Sequence, residues 1–196
     1  MSTHLRSDVC DAARRMVAAE LTHGTAGNVS ARDGDRIAIT PSGIAYGTLQ
    51  ADDIVVLDAS GAIVAGARAP SSERAVHLEI YRARPDVGAV VHTHSTAATA
   101  AAAIGEPIPP FLIEAAVNLG GEVPVAAFRM TGTPELGSEA ARALGGGSAV
   151  LLESHGAVTV GRDLDEALDL AIALEEVAKV YLAVLAAGRA PRPLPV

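Results

Sequence analysis

The stretch Ala89-Val90-Val91-His92-Thr93-His94 runs directly into Ser95-Thr96-Ala97-Ala98-Thr99-Ala100-Ala101-Ala102-Ala103-Ile104. The first six residues are apolar and β-branched apart from the histidines, which reads as a strand. The following Ala-rich run reads as a helix, ended by the turn from Gly105 to Pro110. On a strand, His92 and His94 leave from the same face. Two strand positions span about 6.6 Å, short enough for both imidazoles to meet at one ion. Zn²⁺ takes nitrogen ligands at about 2.0–2.1 Å, and its catalytic sites commonly use three protein ligands with one position open. His155, in Ser154-His155-Gly156 between two apolar runs, is the natural third, because Gly156 allows close backbone approach. A pair of ordinary surface or core histidines fits the same pattern, so the spacing alone leaves both readings open.

Upstream, Pro70-Ser71-Ser72 opens a helix running to about Arg84, where Pro85-Asp86 forces a turn. Glu73 falls in its first turn, where a carboxylate complements the helix dipole. Ser71 and Ser72 at the same helix start make a phosphate seat. Thr25, Gly27 and Asn28 in one small-residue loop, and Ser42 and Gly43 in another, add backbone N–H groups and short polar donors. The same residue types also serve simply as turn formers. Residues 5–22 form an amphipathic helix stopped by Gly24. A strand then pairs with residues 36–40 across Asp33-Gly34-Asp35, and residues 54–57 and 62–65 pair across Ser60-Gly61.

Downstream, a short helix starts near Phe111, and residues 123–127 are extended. Thr133-Pro134-Glu135 starts another helix with Thr as cap and Pro in its first turn. Residues 149–152 and 157–160 form a strand pair around His155. Asp163 and Glu166 resemble a capping box for a long helix to about Ala187, and the Pro-rich tail is expected to be loose. Residues 1–187 therefore read as one α/β three-layer domain, a largely antiparallel sheet covered by helices, with residues 188–196 as tail.

Bulk properties narrow the partners. Hydrophobic residues make up 49% of the 196 and aromatics 3%, which suits helices packed closely on a sheet through small side chains. A net charge of −8 argues against general nucleic-acid or anionic-membrane binding. Cys10 is the only cysteine, so an intramolecular disulfide or a cysteine metal cluster is ruled out. The first eight residues lack a signal-peptide pattern and the apolar runs are too short to span a bilayer, so the expected location is cytoplasmic.

Five motifs in order, Gly24-Thr25-Ala26-Gly27-Asn28-Val29-Ser30, Thr40-Pro41-Ser42-Gly43, Pro70-Ser71-Ser72-Glu73, His92-Thr93-His94 and Ser154-His155-Gly156, resemble the class II aldolase/adducin family. Within it the chain is most similar to the L-fuculose-phosphate aldolases. The resemblance implies that His92, His94 and His155 hold Zn²⁺, or another divalent transition metal. Glu73 would be the acid/base group beside it, and a fourth ligand when substrate is absent. Thr25, Gly27, Asn28, Ser42, Gly43, Ser71 and Ser72 would hold the phosphate of a sugar-phosphate substrate. It also implies a homotetramer with its active sites at subunit interfaces. The chemistry agrees: breaking a C–C bond beside a ketone passes through an enediolate, which a Lewis acid stabilises while a carboxylate moves the proton.

The match departs at the family's tyrosine proton donors. One lies about twenty residues after the histidine pair; here Pro109-Pro110-Phe111-Leu112-Ile113-Glu114 has none, and Glu114 falls on its place if one residue is inserted. The related methylthioribulose-phosphate dehydratases carry a catalytic glutamate at a comparable place but lack the Glu73 equivalent. A second family tyrosine lies in a longer C-terminal tail. Tyr181 reads as a packing residue, and Tyr46 and Tyr81 carry no functional pattern. Aldolase, dehydratase and decarboxylase chemistry all remain compatible, with Glu114 catalytic or an ordinary surface carboxylate. An adducin-like interaction module without catalysis and a metal-independent phosphosugar binder are the alternatives of other classes. His77, four residues after Glu73, is expected to be structural and bonded to a backbone group.

Overall fold

A computed structural model describes residues 4–195; the N-terminal reading at Met1 to Thr3, and Val196 of the tail, lie outside the described residues. One eight-stranded sheet runs through the molecule. Its strands are β1 (Asn28–Asp33), β2 (Arg36–Ile39), β3 (Val55–Asp58), β4 (Ile63–Ala65), β5 (Ala89–Thr93), β6 (Val125–Ala126), β7 (Ala149–Leu152) and β8 (Gly156–Gly161). Their spatial order is β4-β3-β2-β1-β5-β8-β7-β6, and every pairing is antiparallel except β6 with β7. The expected three-layer architecture with a largely antiparallel sheet is what the chain forms.

The helices are α1 (Leu5–Ala18), α2 (Arg74–Ala83), α3 (Thr96–Ile104), α4 (Ile113–Val117), α5 (Pro134–Leu144) and α6 (Leu164–Ala186). Strand alternation sorts the side chains between two helical layers. Ala89 and Val91 of β5, with Val29 and Ala31 of β1, pack against α1 and the start of α6. Val90 of β5 packs on the other face with Val76, Ile80 and Tyr81 of α2 and Leu136 of α5. His92, two positions after Val90, therefore turns toward the α2 layer, as do Asn28 and Ser30 of β1. A third cluster joins Ala97, Ala98 and Ala101 of α3 to Leu174, Val177 and Ala178 of α6. No described helix is long and apolar enough to cross a membrane.

Several boundaries differ from the sequence reading. α1 ends at Ala18 rather than near Gly24, because Glu20 takes the left-handed conformation (φ 58°). Leu21 N–H then donates to Met16 O and Glu20 N–H to Val17 O, the paired bonds of a Schellman cap. α2 starts at Arg74, so residues 71–73 are a turn preceding it and Glu73 is its N-cap residue. The extended stretch near residue 125 shrinks to a two-residue strand. Thr133 caps α5 as expected, accepting from Leu136 N–H. Only half of the Asp163 capping box forms: Asp163 accepts from Glu166 N–H, while the Glu166 carboxylate takes the N–H of Arg162. The tail has no regular structure, yet Leu194 N–H donates to Pro110 O at 2.9 Å, tying it down near its end.

Candidate active site and metal centre

Strand register assembles the site. β1 and β5 pair so that Asn28 lies opposite His92 and Ser30 opposite Val90. β5 and β8 pair so that Thr93 lies opposite Ala157. His94 continues just past the end of β5. The β7–β8 turn, Glu153-Ser154-His155, returns His155 to the same end of the sheet, with Ser154 at φ 57°. Gly156 follows because nothing larger fits: a Cβ there would sit 2.4 Å from Thr93 O and 3.3 Å from both the His92 and His94 rings. Gly27 (φ 70°) answers to the same need on the other side, since its Cβ would lie 2.6 Å from His92 O.

Glu73, His92, His94 and His155 thereby converge, with their ligand atoms all within 4.8 Å of one another. His92 Nε2 is 2.9 Å from His94 Nε2 and 3.2 Å from Glu73 Oε2, and His155 Nε2 is 3.0 Å from Glu73 Oε1. The three rings stand edge to face with centroids 4.8–4.9 Å apart. The His92 Nδ1–H donates to Ala157 O at 2.9 Å, which fixes the ring's orientation and turns Nε2 toward the cluster. Burial, reinforced by His92 and His155, pulls His94 down to about 4, so its ring is neutral at pH 7. Burial alone would raise Glu73, but hydrogen bonds to and charge on His155 and His92 outweigh it, holding the carboxyl well below its usual range. Three imidazole rings and an ionised carboxylate suit a divalent transition metal, and the four residues fit such an ion.

Every residue that sequence reasoning assigned to phosphate lines one cleft with this cluster: Thr25, Gly27, Asn28, Ser42, Gly43, Ser71 and Ser72 share it with Glu73, His94 and His155. Its cavity volume is about 370 Å³. Not all the N–H donors face it. Ser42 N–H pairs with Ala69 O, Ser71 N–H with Thr40 O, and Glu73 N–H with Ser71 Oγ, so those amides lock the two loops together. Buried Tyr46 also props a loop, its hydroxyl donating to Gly27 O. Tyr181 is buried against Phe111, as a packing residue should be.

Glu114 stands apart. It is exposed in the first turn of α4 and does not line the cleft of its own chain. Conversely, Thr131 lines the cleft and was missed, because a lone threonine in a loop carries no pattern. Its segment is pinned by two carboxylates: Glu153 accepts from Phe128 N–H and Glu139 from Ala127 N–H. His77 also differs from expectation, since both its ring nitrogens bond side chains, Asn28 and Ser30, rather than backbone.

The profile of the Class II Aldolase and Adducin N-terminal domain matches residues 7–182. The chain belongs to the class II aldolase and adducin family. Among relatives of this class II aldolase, the 5-methylthioribulose-1-phosphate/5-deoxyribulose-1-phosphate aldolase of Rhodospirillum rubrum is 44% identical over 177 residues, covering 90% of this chain and 80% of that one. The L-fuculose phosphate aldolase of Escherichia coli K12 is 38% identical over 182 residues, covering 93% and 84%. Among solved structures, an L-fuculose 1-phosphate aldolase superposes with a TM-score of 0.95 at 38% identity, covering 100% of this chain and 92% of the other. The L-fuculose-1-phosphate aldolase of Thermus thermophilus gives 0.83 at 34%, covering 96% and 98%.

Proposed function

We propose that this class II aldolase is a Zn²⁺-dependent, cytoplasmic lyase that cleaves and re-forms the C–C bond of a ketose 1-phosphate such as L-fuculose 1-phosphate. The products of cleavage are dihydroxyacetone phosphate and an aldehyde. The observation that carries this reading is the meeting of Glu73 with three imidazoles in a cleft also lined by Thr25, Ser42, Ser71 and Ser72. His92, His94 and His155 would hold the ion, which when bound supplies a positive charge for stabilising negative charge on a ketone oxygen.

The remaining work belongs to the chain. The hydroxyls and free amides of the two loops and the α2 start bind the phosphate, whose binding energy fixes the distant reacting carbons. Glu73 takes the proton from the carbon beside the ketone during bond formation and returns it after cleavage, while water gives and takes back the proton of the hydroxyl made from the aldehyde oxygen. Glu114 lies outside its own chain's cleft, so this reading gives it a part only across a subunit interface, in a homotetramer. Exposed Ile113 and Val117, on either side of Glu114 in α4, supply apolar surface for such a contact.

Three ketose phosphates appear in the relatives' names, and all belong in the test. Zn²⁺-loaded protein is incubated with L-fuculose 1-phosphate, 5-deoxyribulose 1-phosphate and 5-methylthioribulose 1-phosphate. The reading expects dihydroxyacetone phosphate from at least one, abolished by metal depletion and by His155→Ala. Undiminished turnover after depletion would reject it. Loss of water or CO₂ without dihydroxyacetone phosphate would move the enzyme to dehydratase or decarboxylase chemistry.

A further inference from the structure

Behind Glu73 lies a line of buried polar side chains to which the proposed reaction gives no part in moving the proton. Asn28 Nδ2 donates to Glu73 Oε2 at 2.9 Å, and Asn28 Oδ1 meets His77 Nε2 at 2.5 Å. His77 Nδ1 meets Ser30 Oγ at 2.6 Å, and Ser30 Oγ meets Tyr81 OH at 2.8 Å. Asn28, Ser30, His77 and Tyr81 are at most 5% exposed, with His77 and Ser30 at 0%. Burying four polar groups is costly unless each is satisfied.

The directions of these bonds follow from one end. An ionised carboxylate only accepts, so the Asn28 atom beside it is the NH₂. Asn28 Oδ1 therefore accepts, and His77 must carry its proton on Nε2. His77 Nδ1 is then an acceptor, Ser30 donates to it, and Ser30 accepts from Tyr81. Four donors in series point at one carboxylate oxygen. A fully buried His77, pulled down to about 3 by burial and by nearby His92, is neutral at pH 7 and can take this role.

We propose that His77 is a positioning residue for Glu73: by fixing the Asn28 amide it holds Oε2 as a fixed acceptor and leaves Oε1 as the oxygen that carries the proton. The proposal rests on the reading of Glu73 as the proton-moving group. Without the His77 N–H, the Asn28 amide can turn over and present its oxygen to the carboxylate, which repels it.

Two measurements test this. In the metal-free wild-type protein, long-range ¹H–¹⁵N spectra should show His77 protonated on Nε2 and bare on Nδ1; the opposite tautomer overturns the proposal whatever the substrate. In Zn²⁺-loaded protein, exchange of the carbon-bound proton of dihydroxyacetone phosphate for deuterium isolates the Glu73 step. His77→Leu, which keeps bulk but has no donor, should slow exchange by about 10- to 100-fold. Its KM should stay within about twofold of wild type, with unchanged Zn²⁺ content. His77→Gln, which restores an N–H near Nε2, should recover most of the rate. Exchange at the wild-type rate in His77→Leu, or equal loss in His77→Gln, overturns the assignment while leaving the function intact. No exchange by wild type overturns the reading of Glu73 and this role with it.

Discussion

At the scale of single residues, the metal centre depends as much on what is missing as on what is present. Gly156 has no Cβ because the Thr93 carbonyl and the rings of His92 and His94 occupy the space. Gly156→Ala should force the His155 turn away from β5, costing about 1–3 kcal/mol of stability and lowering Zn²⁺ affinity about tenfold or more. Denaturant midpoints and a competitive Zn²⁺ titration measure the two effects, and an unchanged affinity would mean that the turn is not held where described. That the histidines and Glu73 meet was foreseen from the family motifs that carry them, since the histidine spacing alone left both readings open. Asn28 was singled out only for the phosphate and His77 only as structural; the bond between them was not legible, because it joins residues 49 apart. Glu114 is the reverse case: the family alignment offered a catalytic role beside that of a surface carboxylate, and its exposed place on α4 reaches a cleft only through a neighbour.

At the scale of elements, local signals worked where the cap lies next to its helix and failed where it comes from afar. Thr133 and Asp163 bond N–H groups three residues on, and both were readable. α3 has no side-chain bond from its own N-cap Ser95. Its first amides are met by Glu175 of α6, whose carboxylate accepts from Ala97 N–H at 3.0 Å and Ala98 N–H at 2.9 Å. Glu175 is 7% exposed, an otherwise unfavourable place for a carboxylate. Glu175→Ala should therefore destabilise the protein by about 1–3 kcal/mol, as loss of a buried charged acceptor and a helix cap together. Equilibrium unfolding checks this, and a change below about 0.5 kcal/mol would show that water replaces the carboxylate. The end of α1 was illegible for another reason: Glu20 occupies a left-handed position where glycine is the usual signal.

At the scale of the whole molecule, alternation and hairpin turns revealed a largely antiparallel sheet, whereas the order of its strands depends on pairings distant in sequence. β1 beside β5 and β5 beside β8 are such pairings, and they bring the loops, Glu73 and all three histidines to one end. The same burial makes stability depend on pH. His77 is pulled to about 3 and His94 to about 4 in the fold, against about 6.5 unfolded. Between those values the unfolded chain binds protons that the native one refuses, so stability is complete above about pH 6.5 and is lost as pH falls toward 3–4. Denaturation of the metal-free protein at pH 7.5 and 5 should show this loss, and a smaller one in His77→Gln; stability independent of pH over that range would contradict the burial described. The most direct test of the account is X-ray absorption at the zinc edge of the loaded protein, in wild type and His155→Ala. Three imidazole nitrogens are expected around the ion, one of which disappears in the variant. A shell of oxygen ligands alone, or one unaltered by the substitution, would contradict it.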